Sequence, residues 1–152
     1  MSRAHAAAEV PGPVSEVEAL WYEPTRWPSW IDGFGHLAKL EGEWPHIGAR
    51  LIWDSRPGGR GRVIERVVRY EPRVGQVLEV EDERLTATQS VRFEPTEGGT
   101  WIALELAYEL KSGARLQALV DLFFIRRALA DSMRRTLARF RAELAADREL
   151  LR

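Results

Sequence analysis

The chain has 152 residues, enough for one hydrophobic core and too few for two ordinary domains. A formal net charge of −1 provides no overall field that would recruit nucleic acid or an anionic membrane. The sequence contains no cysteine, which excludes disulfides, thiolate metal sites and cysteine nucleophiles. We therefore expect a single domain over residues 1–152, without a nucleic-acid partner.

The N-terminal part of the chain predicts a strand followed by two small helices. Strand-like sequence covers residues 3–10. Apolar residues three and four positions apart predict a short helix over 14–21. A tight turn or second helix is expected over 25–30, where Trp27 and Trp30 should anchor the small helices to a sheet. Trp30 also stands where it can line the entrance of a cavity.

Turn signals divide the middle of the chain into further strands. Six segments have strand character, at 34–42, 48–56, 62–71, 76–83, 85–94 and 100–110. The last segment alternates most cleanly, with one face formed by Ile102, Leu104, Leu106, Tyr108 and Leu110. This regular spacing predicts an antiparallel meander with one apolar face and one solvated face.

A long amphipathic helix is predicted over Ser112–Leu151. Apolar residues recur there at steps of three and four, so they form one stripe, and Ser112 is a suitable N-cap. The helix would be about 50 Å long at the usual rise per residue. It cannot bury such a stripe alone, so we expect the preceding strands to wrap around it.

Five short segments follow one another in a distinctive order. They are residues 10–17 (VPGPVSEV), 24–30 (PTRWPSW), 48–51 (GARL), 93–95 (FEP) and 100–102 (TWI). This order resembles the START-like (SRPBCC) superfamily, in particular its polyketide cyclase/dehydrase and lipid-transport group and the Bet v 1-like proteins. Glu23 stands where that group usually has aspartate. The resemblance covers essentially the whole chain.

The resemblance implies an α+β helix-grip fold. In this fold a curved seven-stranded antiparallel sheet surrounds a long C-terminal helix, and two small helices follow the first strand. The sheet does not fill the space around the helix, and the remaining cavity suits a small hydrophobic ligand. The first functional hypothesis is therefore binding of a lipid-like or aromatic, polyketide-like molecule.

Two other functions stay open at this point. The same cavity could serve a polyketide aromatase/cyclase-type enzyme, so enzymatic activity of the cyclase/dehydrase kind is undecided. Relatives of this fold also act as protein-interaction or co-chaperone-like modules. An inward-facing ionisable group would favour the enzyme, and an exposed apolar patch would favour the interaction module.

Eight residues are candidates for the cavity or its mouth: Trp30, Trp53, Asp82, Gln89, Leu104, Tyr108, Phe123 and Phe124. Gln89 lies on the apolar face of its strand, where either a backbone group, Tyr108 or a ligand oxygen must satisfy its amide. Trp53 forms a cavity wall if Leu51 points inward, whereas a slip of one residue would place it outside.

For several candidates a structural role competes with a ligand contact. Tyr108 is expected to be a core tyrosine that reaches towards solvent. Core packing is also the first expectation for Phe123 and Phe124, which cannot both face the same side of the helix. Asp82 lies in a run of four charged residues, which favours a solvated turn over a general base with a raised pKa.

Several site classes have no motif in this sequence. The three histidines, His5, His36 and His46, lack metal-ligand spacing, so we expect no metal and no cofactor. Acidic residues interrupt the arginines of the long helix, which favours a solvated face. No transmembrane run or signal-peptide core is present, so we expect no stable membrane insertion and a cytoplasmic location. The expected partner is the small hydrophobic ligand, and homodimerisation is undecided.

Overall fold

The computed structural model describes residues 1–111 and 118–152, with side chains for residues 1–111 and 124–152. The expected helix cap at Ser112 and the side chain of Phe123 lie outside the described residues.

The observed elements follow the predicted order. The chain begins with strand β1 (Ser2–Val10), helix α1 (Val14–Trp21), a 3-10 turn (Pro24–Arg26) and helix α2 (Trp27–Trp30). Next come strands β2 (Phe34–Glu41), β3 (Arg50–Ser55), β4 (Arg62–Glu71), β5 (Gly75–Glu81), β6 (Leu85–Pro95) and β7 (Thr100–Leu110), and then helix α3 (Ala118–Leu150). Every predicted strand boundary lies within two residues of the observed one.

All seven strands form one antiparallel sheet in the order β1-β7-β6-β5-β4-β3-β2. The sheet is curved and has α3 on its inner face, which confirms the α+β helix-grip fold. None of the described helices combines the length and the apolar character that a membrane-spanning helix requires.

The alternation of side chains along each strand decides what faces α3. On β7, Ile102 and Leu104 are buried, whereas Trp101 on the opposite face of the strand is exposed. On β4, Val63 and Val67 are buried on the inner face. Because the period of a strand is two residues, the residue midway between these valines must also point inward.

Helix α3 buries its stripe against the small helices and the sheet. Leu137, Phe140 and Leu144 are almost fully buried, at helical steps of three and four residues. The ring of Phe140 lies 5.1 Å from that of Trp21 and 4.9 Å from that of Trp30, in edge-to-face contacts. Each fully buried side chain of this size contributes about 1.5–3 kcal/mol to stability. This packing fixes α2 against the middle of α3.

Ion pairs hold the C-terminal part of α3 to the small helices. Arg26 donates to Glu143 at 2.7 Å and to Asp147 at 2.9 Å, and Arg148 donates to Glu16 at 2.7 Å. All five side chains are partly exposed, so each pair contributes only about 0.2–1 kcal/mol. Their main effect is to fix the position of α3 relative to the small helices.

Candidate functional site

A cavity of about 140 Å³ lies between the inner face of the sheet, α2 and α3. Its wall includes Phe34 and five of the six tryptophans: Trp21, Trp27, Trp30, Trp44 and Trp53. An apolar cavity of about 150 Å³ in another protein accommodates benzene. The space therefore has room for at least one aromatic ring.

One part of the cavity wall is polar, and Trp53 of β3 makes a hydrogen bond there. The indole Nε1–H of Trp53 donates to Glu65 Oε1 at 2.6 Å, and the Trp53 ring stacks on Phe34 with a centroid distance of 5.1 Å. Glu65 comes from β4, between Val63 and Val67, and is only 8% exposed. Burial raises the pKa of this carboxyl above its usual range, although the Trp53 hydrogen bond and the charge of Arg60 oppose the change.

A glycine-rich turn places Arg60 beside this carboxyl. Gly58 and Gly61 have φ values of 83° and 76°, left-handed angles that glycine adopts without strain. The guanidinium of Arg60 lies 5.8 Å from the centroid of the Trp53 ring. Its Nη2 is buried and has no hydrogen-bond partner among the described residues.

The charge of Arg60 is balanced by Asp82 in the turn between β5 and β6. Arg60 Nε donates to Asp82 Oδ2 at 2.8 Å. Asp82 Oδ1 accepts from the backbone N–H groups of Arg84 at 2.8 Å and Leu85 at 3.0 Å. We name the group of Trp53, Arg60, Glu65 and Asp82 the polar end.

A second polar cluster joins the loop after α2 to α3. Asp32 accepts from the Ser132 hydroxyl at 2.7 Å and from Arg135 at 3.1 Å, and it pairs with Arg139 at 3.1 Å. The backbone N–H of Asp32 donates to Thr136 Oγ1 at 3.0 Å. Three of these five residues, Asp32, Ser132 and Thr136, line the cavity and are only half-buried, which places them at its mouth. We name the five residues the mouth clamp.

The mouth clamp changes the acidity of its carboxyl. Desolvation by burial opposes ionisation of Asp32, but the hydrogen bonds from Arg135 and Ser132 outweigh it, assisted by the charges of Arg135 and Arg139. The pKa of Asp32 is therefore below its usual value. The clamp is a charged, hydrogen-bonded link between two elements that border the cavity.

Four of the eight residues predicted from the sequence line this cavity: Trp30, Trp53, Gln89 and Leu104. Of the two registers left open for Trp53, the structure has the inward one, since Trp53 and Leu51 are both buried. Gln89 faces the cavity, and its amide makes no hydrogen bond to Tyr108 or to any other described residue. Whether these residues contact a ligand stays a prediction.

The structure corrects three expectations about the other candidates. Tyr108 does not reach solvent: it is 1% exposed and packs with Leu85 and Leu106 away from the cavity. Asp82 is 5% exposed and does not lie in a solvated turn, because Arg60 and two backbone amides hold it inside.

The third correction concerns Phe124, for which core packing was expected. Phe124 is 63% exposed, because the inward stripe of α3 at this level runs through Ile125 and Leu129 instead. Neither Asp82, Tyr108 nor Phe124 lines the cavity.

Sequence reasoning missed Glu65, Arg60 and Asp32. Glu65 had a usable signal, since it occupies the inward phase between two valines on a strand that was predicted correctly. Arg60 lay in a segment recognised only as a turn. Asp32 had no local signal, because its partners are about a hundred residues away in sequence.

The sequence matches a family model described as "Polyketide cyclase / dehydrase and lipid transport" over residues 1–145. The chain belongs to this family. A search of curated proteins with this sequence found no significant match.

Several solved structures have the same fold as this chain. The di-domain ARO/CYC StfQ from the steffimycin biosynthetic pathway is 22% identical, with a TM-score of 0.78, over 97% of this chain and 51% of StfQ. The chain thus spans about half the length of StfQ. A Rhodobacter sphaeroides protein is 19% identical, with a TM-score of 0.72, over 95% of this chain and 93% of the other.

A protein from Thermus thermophilus, TTHA0849, is 16% identical, with a TM-score of 0.76, over 96% of this chain and 99% of the other. At these identities the structural similarity supports the fold alone.

Proposed function

We propose that the protein binds a small aromatic ligand in the cavity between the sheet and α3. The observation that carries this proposal is a cavity lined by five tryptophans, two of whose lining residues carry a buried polar atom without a partner in the described part of the chain. Trp30 is 1% exposed, and its indole Nε1, like Arg60 Nη2, has no hydrogen-bond partner among the described residues. A buried donor left unpaired costs about 1–3 kcal/mol, which a ligand oxygen would offset.

The size of the cavity favours a ring system over a long acyl chain. Pockets that enclose drug-sized ligands commonly measure about 300–1,000 Å³, whereas this one measures about 140 Å³. A long aliphatic lipid would require the walls to separate. One or two flat rings would instead stack on the indole faces that are already in place.

A substitution that fills the cavity tests the proposal. Leu104→Trp would place a bulky ring in the cavity, and the control Ala103→Trp would place the same ring on the outer face of β7. Binding of 2-naphthol would be measured by isothermal titration calorimetry and by the change in Tm. We expect saturable one-to-one binding for the wild type and the control, and none for Leu104→Trp. Equal binding by both variants, or none by the wild type, would contradict the proposal.

A second candidate function is acid–base catalysis of the aromatase/cyclase type. Glu65 favours it, because a buried carboxyl with a raised pKa in a cavity can exchange a proton with a bound carbonyl compound. The family description and the name of StfQ point to this chemistry. A linear poly-β-ketone would be incubated with the protein and aromatic products followed by chromatography. We expect Glu65→Gln to abolish turnover while 2-naphthol still binds; turnover unchanged in this variant would contradict an acid–base role.

A further inference from the structure

The charges of the polar end restrict what can bind beside it. We infer that the polar end is a hydrogen-bonding subsite that selects an uncharged aromatic ligand bearing a phenol or carbonyl oxygen, and that Glu65 excludes carboxylate ligands from it. This inference rests on the proposed function. It assigns Glu65 a role in specificity that requires no catalytic step.

The positive charge of Arg60 is already matched. Its Nε pairs with Asp82 at 2.8 Å, and Asp82 is 5% exposed and held by two backbone amides. Glu65 faces the same space and makes no ion pair within the described part of the chain. An anionic ligand would add a further carboxylate where a single guanidinium already has its partner and two carboxyl groups are already buried.

Two side chains that line the cavity, Arg60 and Glu65, each have a polar atom without a hydrogen-bond partner among the described residues. Arg60 Nη2 is a buried donor without an acceptor among the described residues. On Glu65, Trp53 occupies Oε1 and leaves Oε2 without a hydrogen bond to any described residue. A phenol oxygen can accept from Nη2 and donate to Oε2, and a carbonyl oxygen can accept from Nη2.

A hydrocarbon and a cation fit this subsite less well. A hydrocarbon leaves Arg60 Nη2 and Glu65 Oε2 unpaired. A protonated amine would satisfy Glu65 but would lie against the guanidinium of Arg60. The neighbours of Glu65 in the sheet, Leu51 on β3 and Val80 on β5, carry no charge that would change this balance.

Four probes with one ring system test the inference on the wild-type protein. Naphthalene, 2-naphthol, 2-naphthoate and 2-naphthylmethylamine would be titrated at pH 7 by calorimetry. Because a hydrogen bond of ordinary strength changes affinity up to about tenfold, we expect 2-naphthol to bind about tenfold more tightly than naphthalene. We also expect the carboxylate to bind at least about tenfold more weakly than the phenol, with the amine weaker than the phenol as well.

The pattern of affinities separates two kinds of failure. If naphthalene and 2-naphthol bind equally, or if 2-naphthoate binds as tightly as 2-naphthol, the inference is overturned while the proposed binding function stands. If none of the four probes binds saturably, the proposed function fails with it. Both outcomes are measured on the wild-type protein, so they do not depend on whether a variant folds.

A variant of Glu65 tests the origin of the selectivity. Glu65→Gln removes the charge but keeps the size and a donor and an acceptor. Affinity for 2-naphthoate should rise about tenfold and affinity for 2-naphthol should change by less than about threefold. The control Glu79→Gln removes a carboxylate from the outer face of β5, where Glu79 pairs with Arg66. Equal effects of both substitutions on 2-naphthoate binding would overturn the assignment to Glu65.

Discussion

Two carboxyl groups line the same cavity and respond to it in opposite ways. Glu65 at the polar end has one neutral hydrogen-bond donor, Trp53, and its pKa is raised. Asp32 in the mouth clamp receives donors from Ser132 and Arg135 and pairs with Arg139, and its pKa is lowered. Burial disfavours ionisation of both side chains, so the number and charge of their partners decide the outcome.

This difference separates a structural role from a functional one. In the mouth clamp, hydrogen bonds and ion pairs satisfy the carboxylate of Asp32 and link the loop after α2 to α3. The polar end leaves a buried carboxyl and a guanidinium nitrogen incompletely satisfied, which costs stability. Groups of the second kind concentrate at binding and catalytic sites, since the ligand supplies the missing partner.

The largest effect is expected from removing the donor that holds Glu65. Trp53→Phe keeps a ring to stack on Phe34 but leaves Glu65 Oε1 without its hydrogen bond. We expect a loss of about 1–3 kcal/mol in the free energy of unfolding, measured by urea denaturation. Trp101→Phe, on the exposed outer face of β7, is the control and should cost less than about 0.5 kcal/mol. Equal stabilities of the two variants would show that the Trp53–Glu65 bond contributes nothing.

A smaller loss is expected when the mouth clamp is opened. Asp32→Asn removes the charge that pairs with Arg135 and Arg139, both of which are about half exposed. We expect a cost of about 1 kcal/mol and a decrease in Tm of about 2–4 °C. Exchange of 2-naphthol, followed by stopped-flow fluorescence, should become faster.

The control for this prediction removes an ion pair that does not border the cavity. Asp54→Asn breaks the contact of Asp54 with Arg62, at 2.9 Å, and leaves the mouth clamp intact. Ligand exchange in this variant should keep the wild-type rate. Equal acceleration in both variants would show that opening the mouth clamp has no specific effect on ligand exchange.

The smallest effect is a difference in how stability depends on pH. For Glu65 the folded state binds its proton more tightly than the unfolded chain, so wild-type stability relative to Glu65→Gln should fall as pH rises above the ordinary value of 4.5. For Asp32 the sign is reversed. The stability it contributes relative to Asp32→Asn should persist above its ordinary value of 3.8 and disappear as pH falls below it.

Thermal unfolding of the three proteins between pH 3 and 8 would measure both trends. The two Tm differences should change in separate pH ranges, one mainly above pH 4.5 and the other below pH 3.8. Parallel curves for the two variants would contradict the assigned pKa directions.

Most of the fold was predictable because its signals are local. Alternation on β7 and the helical spacing of Leu137, Phe140 and Leu144 identify buried faces without knowledge of distant residues. The same alternation also placed Gln89 and Leu104 on the inner face, whereas it left the register of Trp53 open. Turn sequences located the strand boundaries, and the resemblance supplied the arrangement of the elements.

The polar groups were harder to predict, since their environment depends on partners remote in sequence. Asp82 looked like part of a charged turn, and only the approach of Arg60 and two backbone amides shows why it is buried. Asp32 is explained by residues on α3. Glu65 is the exception, because a carboxylate in the inward phase of β4 could have been recognised from sequence alone.

A crystal structure of the protein with 2-naphthol tests the central claim most directly. The account predicts the two rings between the sheet and α3, against Trp53 and Leu104, with the phenol oxygen within hydrogen-bond distance of Arg60 Nη2. Ligand bound only on the outer face of the sheet, or a cavity closed by its own side chains at saturating ligand, would contradict it.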